Sequence, residues 1–171
     1  CKTGGRVLTR PPVSQNAVDS RITSSVSSSS NAKYWKYRTI SSKSYIELPN
    51  AGPYVISGTT NIPVICSAAN IQATLQGAAI STSYASPIIA TNANTNLRLT
   101  LSGSNSLSAS AIYCPAINCG TSKSLTFLGD GILSCQGAKC APAIGCGYYV
   151  STPFTLTCSI TNSCAAVFAT P

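Results

Sequence analysis

Cysteine is the residue type with the greatest chemical potential in this sequence, which contains nine cysteines and no histidine. Thiolates bind zinc or iron–sulfur clusters, but the Cys-x-x-Cys spacings of such sites are absent, so we expect no metal or other cofactor. Disulfide bonds are the remaining chemistry, and they predict an oxidising location, outside the cell or at its surface. The cysteines expected to pair are Cys66, Cys114, Cys119, Cys135, Cys140, Cys146, Cys158 and Cys164.

Cys1 is the odd cysteine, and three interpretations of it stay open. A mature chain that begins with cysteine resembles a processed bacterial lipoprotein, in which the first residue carries the lipid. The other interpretations are an intermolecular disulfide and a simple boundary of the sequence. A lipid on Cys1 is the only membrane attachment expected, because no apolar stretch approaches the roughly 18 residues of a transmembrane helix.

Acidic residues are too few for the common hydrolytic mechanisms. The sequence contains three, Asp19, Glu47 and Asp130. Without histidine, the chain cannot build a Ser-His-Asp or Cys-His nucleophile system. A glycosidase needs two carboxylates that face one site, and the repeat described below places Glu47 and Asp130 about three coils apart. We therefore predict that the protein is not an enzyme.

The formal charge of +8 is concentrated near the amino terminus, because most of the 11 lysines and arginines precede residue 45. The sequence lacks a recognition helix, a zinc knuckle and an aromatic platform, so we expect no nucleic-acid partner. A basic amino-terminal region is better suited to an anionic glycan or a neighbouring subunit.

Residues 1–33 are predicted to form an extended arm, and residues 34–171 the folded domain. Pro11-Pro12 disfavours helix, and Ser24–Ser30 is a low-complexity linker segment. An aromatic cluster follows the arm; it is predicted to cover one end of the core, with sugar stacking as the alternative. The aromatic residues that can contact a glycan or a subunit are Tyr34, Trp35, Tyr37, Tyr148 and Tyr149.

Three short elements repeat along the chain. The first comprises Ala73–Gly77, Leu99–Gly103 and Leu125–Gly129, with Phe154–Cys158 as a fourth copy; the second comprises Pro115–Gly120 and Pro142–Gly147, with Ser86–Ala90 as the earlier copy; the third comprises Ala79–Ser81, Ser106–Ser108 and Ile132–Ser134. Three strands in about 27 residues form one coil of a parallel β-helix. The sequence therefore predicts an all-β fold, a right-handed parallel β-helix of about four to five coils.

Four repeat segments, Tyr54–Thr60, Ile71–Gly77, Leu99–Ala109 and Ala143–Gly147, resemble those of secreted and cell-surface microbial parallel β-helix proteins. The resemblance covers roughly residues 45–165. It implies the same fold and, as in the carbohydrate-binding members, acidic pectin-type polysaccharide as a ligand. This sequence differs from the family in its many cysteines and in lacking the Asp-rich turns that bind calcium in some relatives.

The repeat register also predicts disulfide pairs. Equivalent residues of adjacent coils lie about 4.7–4.9 Å apart, within the range that a disulfide spans. We therefore expect Cys119–Cys146 and Cys114–Cys140 bonds between coils, with the other four cysteines forming two more.

Two functions follow from this sequence. The first is a structural subunit of an extracellular filament or surface coat, in which β-helices stack through an apolar, uncapped end at Cys164–Pro171 and the arm holds a neighbouring copy. The alternative is a cell-surface adhesin module that binds acidic polysaccharide through exposed aromatic and basic side chains.

Overall fold

Strands joined by short turns make up the described chain, with no helix. The computed structural model describes residues 35–92, 94–120 and 124–145, together with the backbone of 155–158 and 167–168. The predicted arm lies outside these residues. In this part of the chain, no helix is long and apolar enough to cross a membrane.

The described residues form 14 strands. They are β1 (Lys36–Ile40), β2 (Lys43–Leu48), β3 (Tyr54–Thr60), β4 (Val64–Cys66), β5 (Asn70–Thr82), β6 (Ile88–Ala90), β7 (Asn96–Ser102), β8 (Ser104–Ala109), β9 (Ile117–Asn118), β10 (Ser124–Gly129), β11 (Ile132–Gln136), β12 (Ile144–Gly145), β13 (Thr155–Cys158) and β14 (Val167–Phe168).

These strands form a parallel β-solenoid with three faces, which confirms the predicted fold class. The first face is the sheet β1-β2-β4-β6-β9-β12, in which only β1 runs antiparallel to its neighbour. The second sheet has the order β13-β10-β7-β5-β8-β11-β14. Strand β5 spans two faces, because its first half pairs with β7 and its second half with β8. Strands β7, β10 and β13 thus form the second face, and β8, β11 and β14 the third.

The solenoid has about three turns, fewer than the four to five predicted. On the first face, Val64 pairs with Ile88, Ile88 with Ile117, and Ile117 with Ile144. Each pair joins equivalent residues of adjacent coils, so this face contains three full turns. The predicted number was too high because the first residues of the domain do not form a full coil. At the amino-terminal end the chain instead makes the β1–β2 hairpin, and the step from Ile46 to Val64 is shorter than a full coil.

Alternation within each strand builds the core. In β7, Leu97, Leu99 and Leu101 are buried, whereas Arg98 between them is exposed. The buried leucines stack on equivalent residues of neighbouring coils; Leu99, for example, pairs with Ala73 on one side and Phe127 on the other. Each fully buried aliphatic side chain contributes about 1.5–3 kcal/mol relative to an exposed one.

The glycine register is confirmed for one coil and corrected for the next. Gly77 and Gly103 occupy the same corner, with φ angles of 60° and 66° that favour glycine. Gly129 lies opposite Leu101 instead of Gly103, so the strand copies in this coil are shifted by two residues from the prediction. A shift of two keeps every side chain on its predicted side of the sheet.

The predicted match between the proline-containing elements at Pro115 and Pro142 is confirmed, since Ile117 pairs with Ile144, but their earlier copy is shifted. Ile88 pairs with Ile117, so Pro87 lies one residue away from the predicted position opposite Pro115.

Asn105 joins three coils at the corner between the second and third faces, and its side chain is 3% exposed. Its Oδ1 accepts a hydrogen bond from the amide of Ala78 at 2.9 Å. Its Nδ2 donates to the carbonyl oxygens of Gly103 at 3.2 Å and Ile132 at 3.1 Å. Asn105 thereby satisfies buried backbone groups that the change of face leaves without ladder partners.

Candidate ligand-binding face on the amino-terminal hairpin

The β1–β2 hairpin is the most highly charged part of the described chain, and its turn fixes how its side chains point. Ser41 and Ser42 form a two-residue turn with φ angles of 48° and 62°, as in a type I′ turn. This turn places Ile40 opposite Lys43 and sets the register back to Lys36 opposite Glu47.

Side chains of the hairpin alternate between the core and the solvent. Ile46 and Leu48 of β2 point into the core, where they are 1% and 2% exposed. Their neighbours along β2, and the residues paired with those neighbours on β1, therefore point outward. We call the outward group, with Tyr84 beside it, the hairpin face: Lys36, Arg38, Ile40, Lys43, Tyr45, Glu47 and Tyr84.

Tyr84 comes from the loop between β5 and β6 and fixes the hairpin to the solenoid. Its hydroxyl donates to the carbonyl oxygen of Ser44 at 2.5 Å. Its ring packs edge-on against Tyr45, with centroids 5.7 Å apart. Lys43 Nζ lies 5.0 Å from the centre of the Tyr84 ring, a cation–π contact. Burial, and then the neighbouring Tyr45 and Tyr37, raise the pKa of Tyr84, so its hydroxyl keeps its proton at neutral pH.

One carboxylate of the hairpin face is already bound within the protein. Glu47 accepts from Arg38 Nη1 at 3.1 Å and from the Ser67 hydroxyl at 2.9 Å. Lys36 and Lys43 form no ion pair with any described residue. The two lysines therefore give the hairpin face a positive charge next to two tyrosine rings.

Exposed residues of the following turns extend this face along the same edge of the solenoid. The loop after β8 carries Ile112 and Tyr113, which are 58% and 42% exposed. The loop after β11 carries Lys139, whose carbonyl accepts from the Tyr113 amide at 3.1 Å. The edge thus adds one more aromatic ring and one more cation to the hairpin face.

Two of the five aromatic residues predicted as contacts are in the described part. Trp35 is partly buried and packs against the hydrophobic core, as expected for a residue that covers the end of the solenoid. Tyr37 is 38% exposed and donates from its hydroxyl to Ser44 Oγ. The other three, Tyr34, Tyr148 and Tyr149, lie outside the described residues.

Sequence reasoning missed Tyr45 and Tyr84. Ser44 and Tyr84 are 40 positions apart in the chain, and only the coiling of the solenoid brings them together. On both sides of Ser41-Ser42, the charged residues are spaced by even numbers of positions along the sequence. This alternation around a turn indicates the hairpin and its outward side.

No disulfide bond joins any two of the five cysteines in the described part, which are Cys66, Cys114, Cys119, Cys135 and Cys140. The Cys114–Cys140 bond predicted from the repeat is not formed, and both residues have free thiols. Tyr113 and Cys140 share positive φ angles of 67° and 62°, which makes them the equivalent residues of successive turns. The residue equivalent to Cys114 is therefore Ala141, one position beyond Cys140.

The remaining predicted pairs involve cysteines whose side chains lie outside the described part of the chain. Cys1, Cys146 and Cys164 lie outside the described residues, and of Cys158 only the backbone is described. The Cys119–Cys146 bond, and the extracellular location inferred from disulfides, stay predictions.

The Cys66 thiol is buried in the core beneath the first face. Burial, with a smaller effect from Cys119, raises its pKa to about 12. Such a thiol stays protonated and unreactive at neutral pH. Burial also raises the pKa of the Cys114 thiol, an effect that the Ser86 hydroxyl and Lys43 oppose. Among the described residues, no three His, Cys, Asp or Glu side chains cluster so that they can hold a metal ion.

Comparisons with protein-family models, curated proteins and solved structures find no match to this chain. The resemblance to secreted microbial β-helix proteins, and the polysaccharide ligand that it implies, therefore stay predictions.

Proposed function

We propose that this protein is an extracellular, non-enzymatic module that binds acidic polysaccharide through the hairpin face. One observation supports this proposal most strongly: two cations that form no ion pair with any described residue lie on the outward side of the hairpin, and one of them, Lys43, contacts a ring of the Tyr45–Tyr84 pair. The other is Lys36. Lysines attract uronate carboxylates, and a partly exposed tyrosine ring offers an apolar surface to a sugar ring.

The rigidity of the site favours binding. Tyr84 is held by a hydrogen bond to the Ser44 carbonyl oxygen, and Glu47 by Arg38 and Ser67. These contacts fix the hairpin on a solenoid whose strands are paired on both sides. A ligand therefore meets a preformed surface, and little conformational entropy is lost on binding.

The test compares two single-charge variants. Lys43→Gln removes a cation of the hairpin face, and Arg98→Gln removes an exposed cation from the second face. We expect wild-type protein to bind immobilised polygalacturonate but not neutral dextran, with affinity that falls as salt rises. Loss of one exposed charge contact, worth about 0.5–1 kcal/mol, predicts a two- to fivefold weaker Kd for Lys43→Gln and no change for Arg98→Gln. Equal affinities of the two variants would contradict the proposed site.

A second candidate function, a subunit of an extracellular filament or surface coat, is favoured by a different observation. The described strands of the second and third faces carry one charged residue, Arg98, and their outward side chains are mostly Ser, Thr, Asn and Gln. Copies of such faces can pack side by side without repulsion between like charges. Of the segment Cys164–Pro171, where the axial contact is predicted, the structure describes only the backbone of β14, which pairs with β11.

Negative-stain electron microscopy distinguishes the two functions. Filaments or sheets in concentrated, oxidised protein support the coat subunit. Single particles that still bind polygalacturonate support the adhesin module alone.

A further inference from the structure

The outer edge of β1 is the feature that leads beyond the proposed function. Strand β1 is the last strand of the first face, and among the described residues it pairs only with β2. All five of its residues are exposed. An edge strand of this kind offers backbone amides and carbonyls to a strand from another molecule.

The turn determines which backbone groups face outward. In a two-residue hairpin, the residues that flank the turn form a hydrogen-bonded pair, here Ile40 with Lys43. Hydrogen-bonded pairs then alternate along the ladder. Arg38 and Lys36 therefore direct their amides and carbonyls toward β2. Tyr37 and Thr39 direct theirs to the open edge.

The charges on β1 disfavour pairing with the β1 strand of a second copy of the chain. If two β1 strands paired antiparallel with all five residues matched, Arg38 would lie directly opposite Arg38 of the other copy. Like charges at directly opposed positions destabilise a strand pair. A strand with acidic residues at alternate positions would instead place carboxylates beside Lys36 and Arg38. The same two cations thus disfavour self-association and favour an acidic partner.

We propose that β1 accepts an added strand from a protein partner whose extended segment carries Asp or Glu at alternate positions. The backbone groups of Tyr37 and Thr39 supply the hydrogen bonds, and Lys36 and Arg38 supply the charge selection. This site shares Lys36 and Arg38 with the hairpin face, but unlike the glycan site it also requires the backbone groups at the sheet edge.

The test uses the full chain and a short fluorescein-labelled peptide that alternates glutamate with threonine. Thr39→Pro removes an amide that faces the open edge, so no hydrogen bond between β1 and β2 is lost. Proline is tolerated on the open side of an edge strand. Thr39→Val is the matched control, because it keeps the amide. We expect fluorescence anisotropy to show peptide binding that Thr39→Pro weakens at least about tenfold, the equivalent of about 1.4 kcal/mol, and that Thr39→Val leaves unchanged.

Two controls separate strand addition from simple charge attraction. A peptide of the same composition with N-methylated alternate amides keeps its charge but cannot form the ladder, so we expect it not to bind. Circular dichroism of Thr39→Pro reports whether the protein remains folded. Its polygalacturonate binding tests the glycan proposal separately, because Thr39 is not part of the hairpin face.

Amide hydrogen exchange of the wild-type chain gives a readout that does not depend on any variant. Addition of the peptide is expected to slow exchange at Tyr37 and Thr39. The amides of Lys36 and Arg38, already bonded to β2, should change little. Absence of peptide binding, equal binding of the N-methylated peptide, or unchanged exchange at Thr39 would each overturn the proposal.

Discussion

Asn105 shows how one side chain can determine a corner of the solenoid. It holds the Ala78 amide of one coil and the Ile132 carbonyl of another, and it is buried. A carboxamide suits this site because it carries a donor and an acceptor together. The sequence does not mark it, because Asn105 stands in the same kind of Ser- and Asn-rich segment as exposed asparagines such as Asn94.

We predict that Asn105→Leu lowers the free energy of unfolding by about 2–4 kcal/mol, because it leaves several buried backbone groups without partners. Asn105→Asp keeps the acceptor for Ala78 but turns a charge toward carbonyl oxygens, so its loss of stability should be larger at pH 7 than at pH 4. Asn70→Ala is the control: Asn70 is exposed and forms one outer hydrogen bond, with Asn96. Urea unfolding measures all three variants. An Asn105→Leu protein as stable as Asn70→Ala would show that the network contributes little.

The Cys66 thiol makes the stability of the folded protein depend on pH in alkaline solution. Its pKa rises from the ordinary 9.0 to about 12 in the folded chain. An unfolded chain therefore loses this proton above about pH 9 while the folded chain keeps it. The folded state binds more protons in this range, so stability falls as pH rises from about 9 to 12 and does not depend on Cys66 below pH 9.

Above pH 9, we expect the free energy of unfolding of Cys66→Val to fall less steeply with pH than that of the wild type. The difference between the two slopes corresponds to at most one bound proton per molecule. The raised pKa values of Tyr54, Tyr84 and Cys114 add to the slope in both proteins. At pH 8, iodoacetamide should modify the exposed Cys140 quickly and Cys66 only after unfolding. Mass spectrometry of the modified peptides measures this difference. Rapid modification of Cys66 in folded protein would contradict its burial.

At the scale of elements, alternation in the sequence indicated most of the solenoid strands. Leu97, Leu99 and Leu101 alternate with polar residues, and that pattern fits a half-buried strand. The same pattern could not determine the register of the next coil, since a slip of two residues leaves every side chain on its side of the sheet. The contact between Gly129 and Leu101 therefore had to come from the structure.

The hairpin was the element that sequence reasoning placed least well. All five residues of β1 are exposed, so no buried residue marks the strand in the sequence. The sequence singled out the aromatic segment around Trp35. The ring pair of the hairpin face, Tyr45 with Tyr84, joins a second strand to a loop of a later coil. Only the stacking of coils brings these parts of the candidate site together.

At the scale of the whole molecule, the solenoid is a series of similar coils in which each coil contacts mainly its neighbours. Leu125 pairs directly with Leu97, and Phe127 with Leu99. Residues 97–124 therefore make up one turn, and their removal joins Asn96 to Leu125 in the existing register. Stability in such a protein is approximately a sum of coil and interface contributions.

We predict that a chain lacking residues 97–124 folds, with a lower free energy of unfolding and a lower urea m-value, because less surface is exposed when it unfolds. The loss of Asn105 adds to this decrease, since the Ala78 amide loses its partner. The hairpin face should still bind polygalacturonate, because Lys43, Tyr45 and Tyr84 remain.

The control deletion differs by one residue. Removal of residues 97–123 joins Asn96 to Ser124. Ser124 then occupies the inward-facing position that Leu97 holds in the wild type. Every later residue of the strand then changes side, so that Leu125 and Phe127 face solvent and Thr126 faces the core. We expect this chain to be unfolded or aggregated by circular dichroism and size-exclusion chromatography. If both deletions fold equally well, the core is not held by the strand register. If both fail, the coils do not act as separable units.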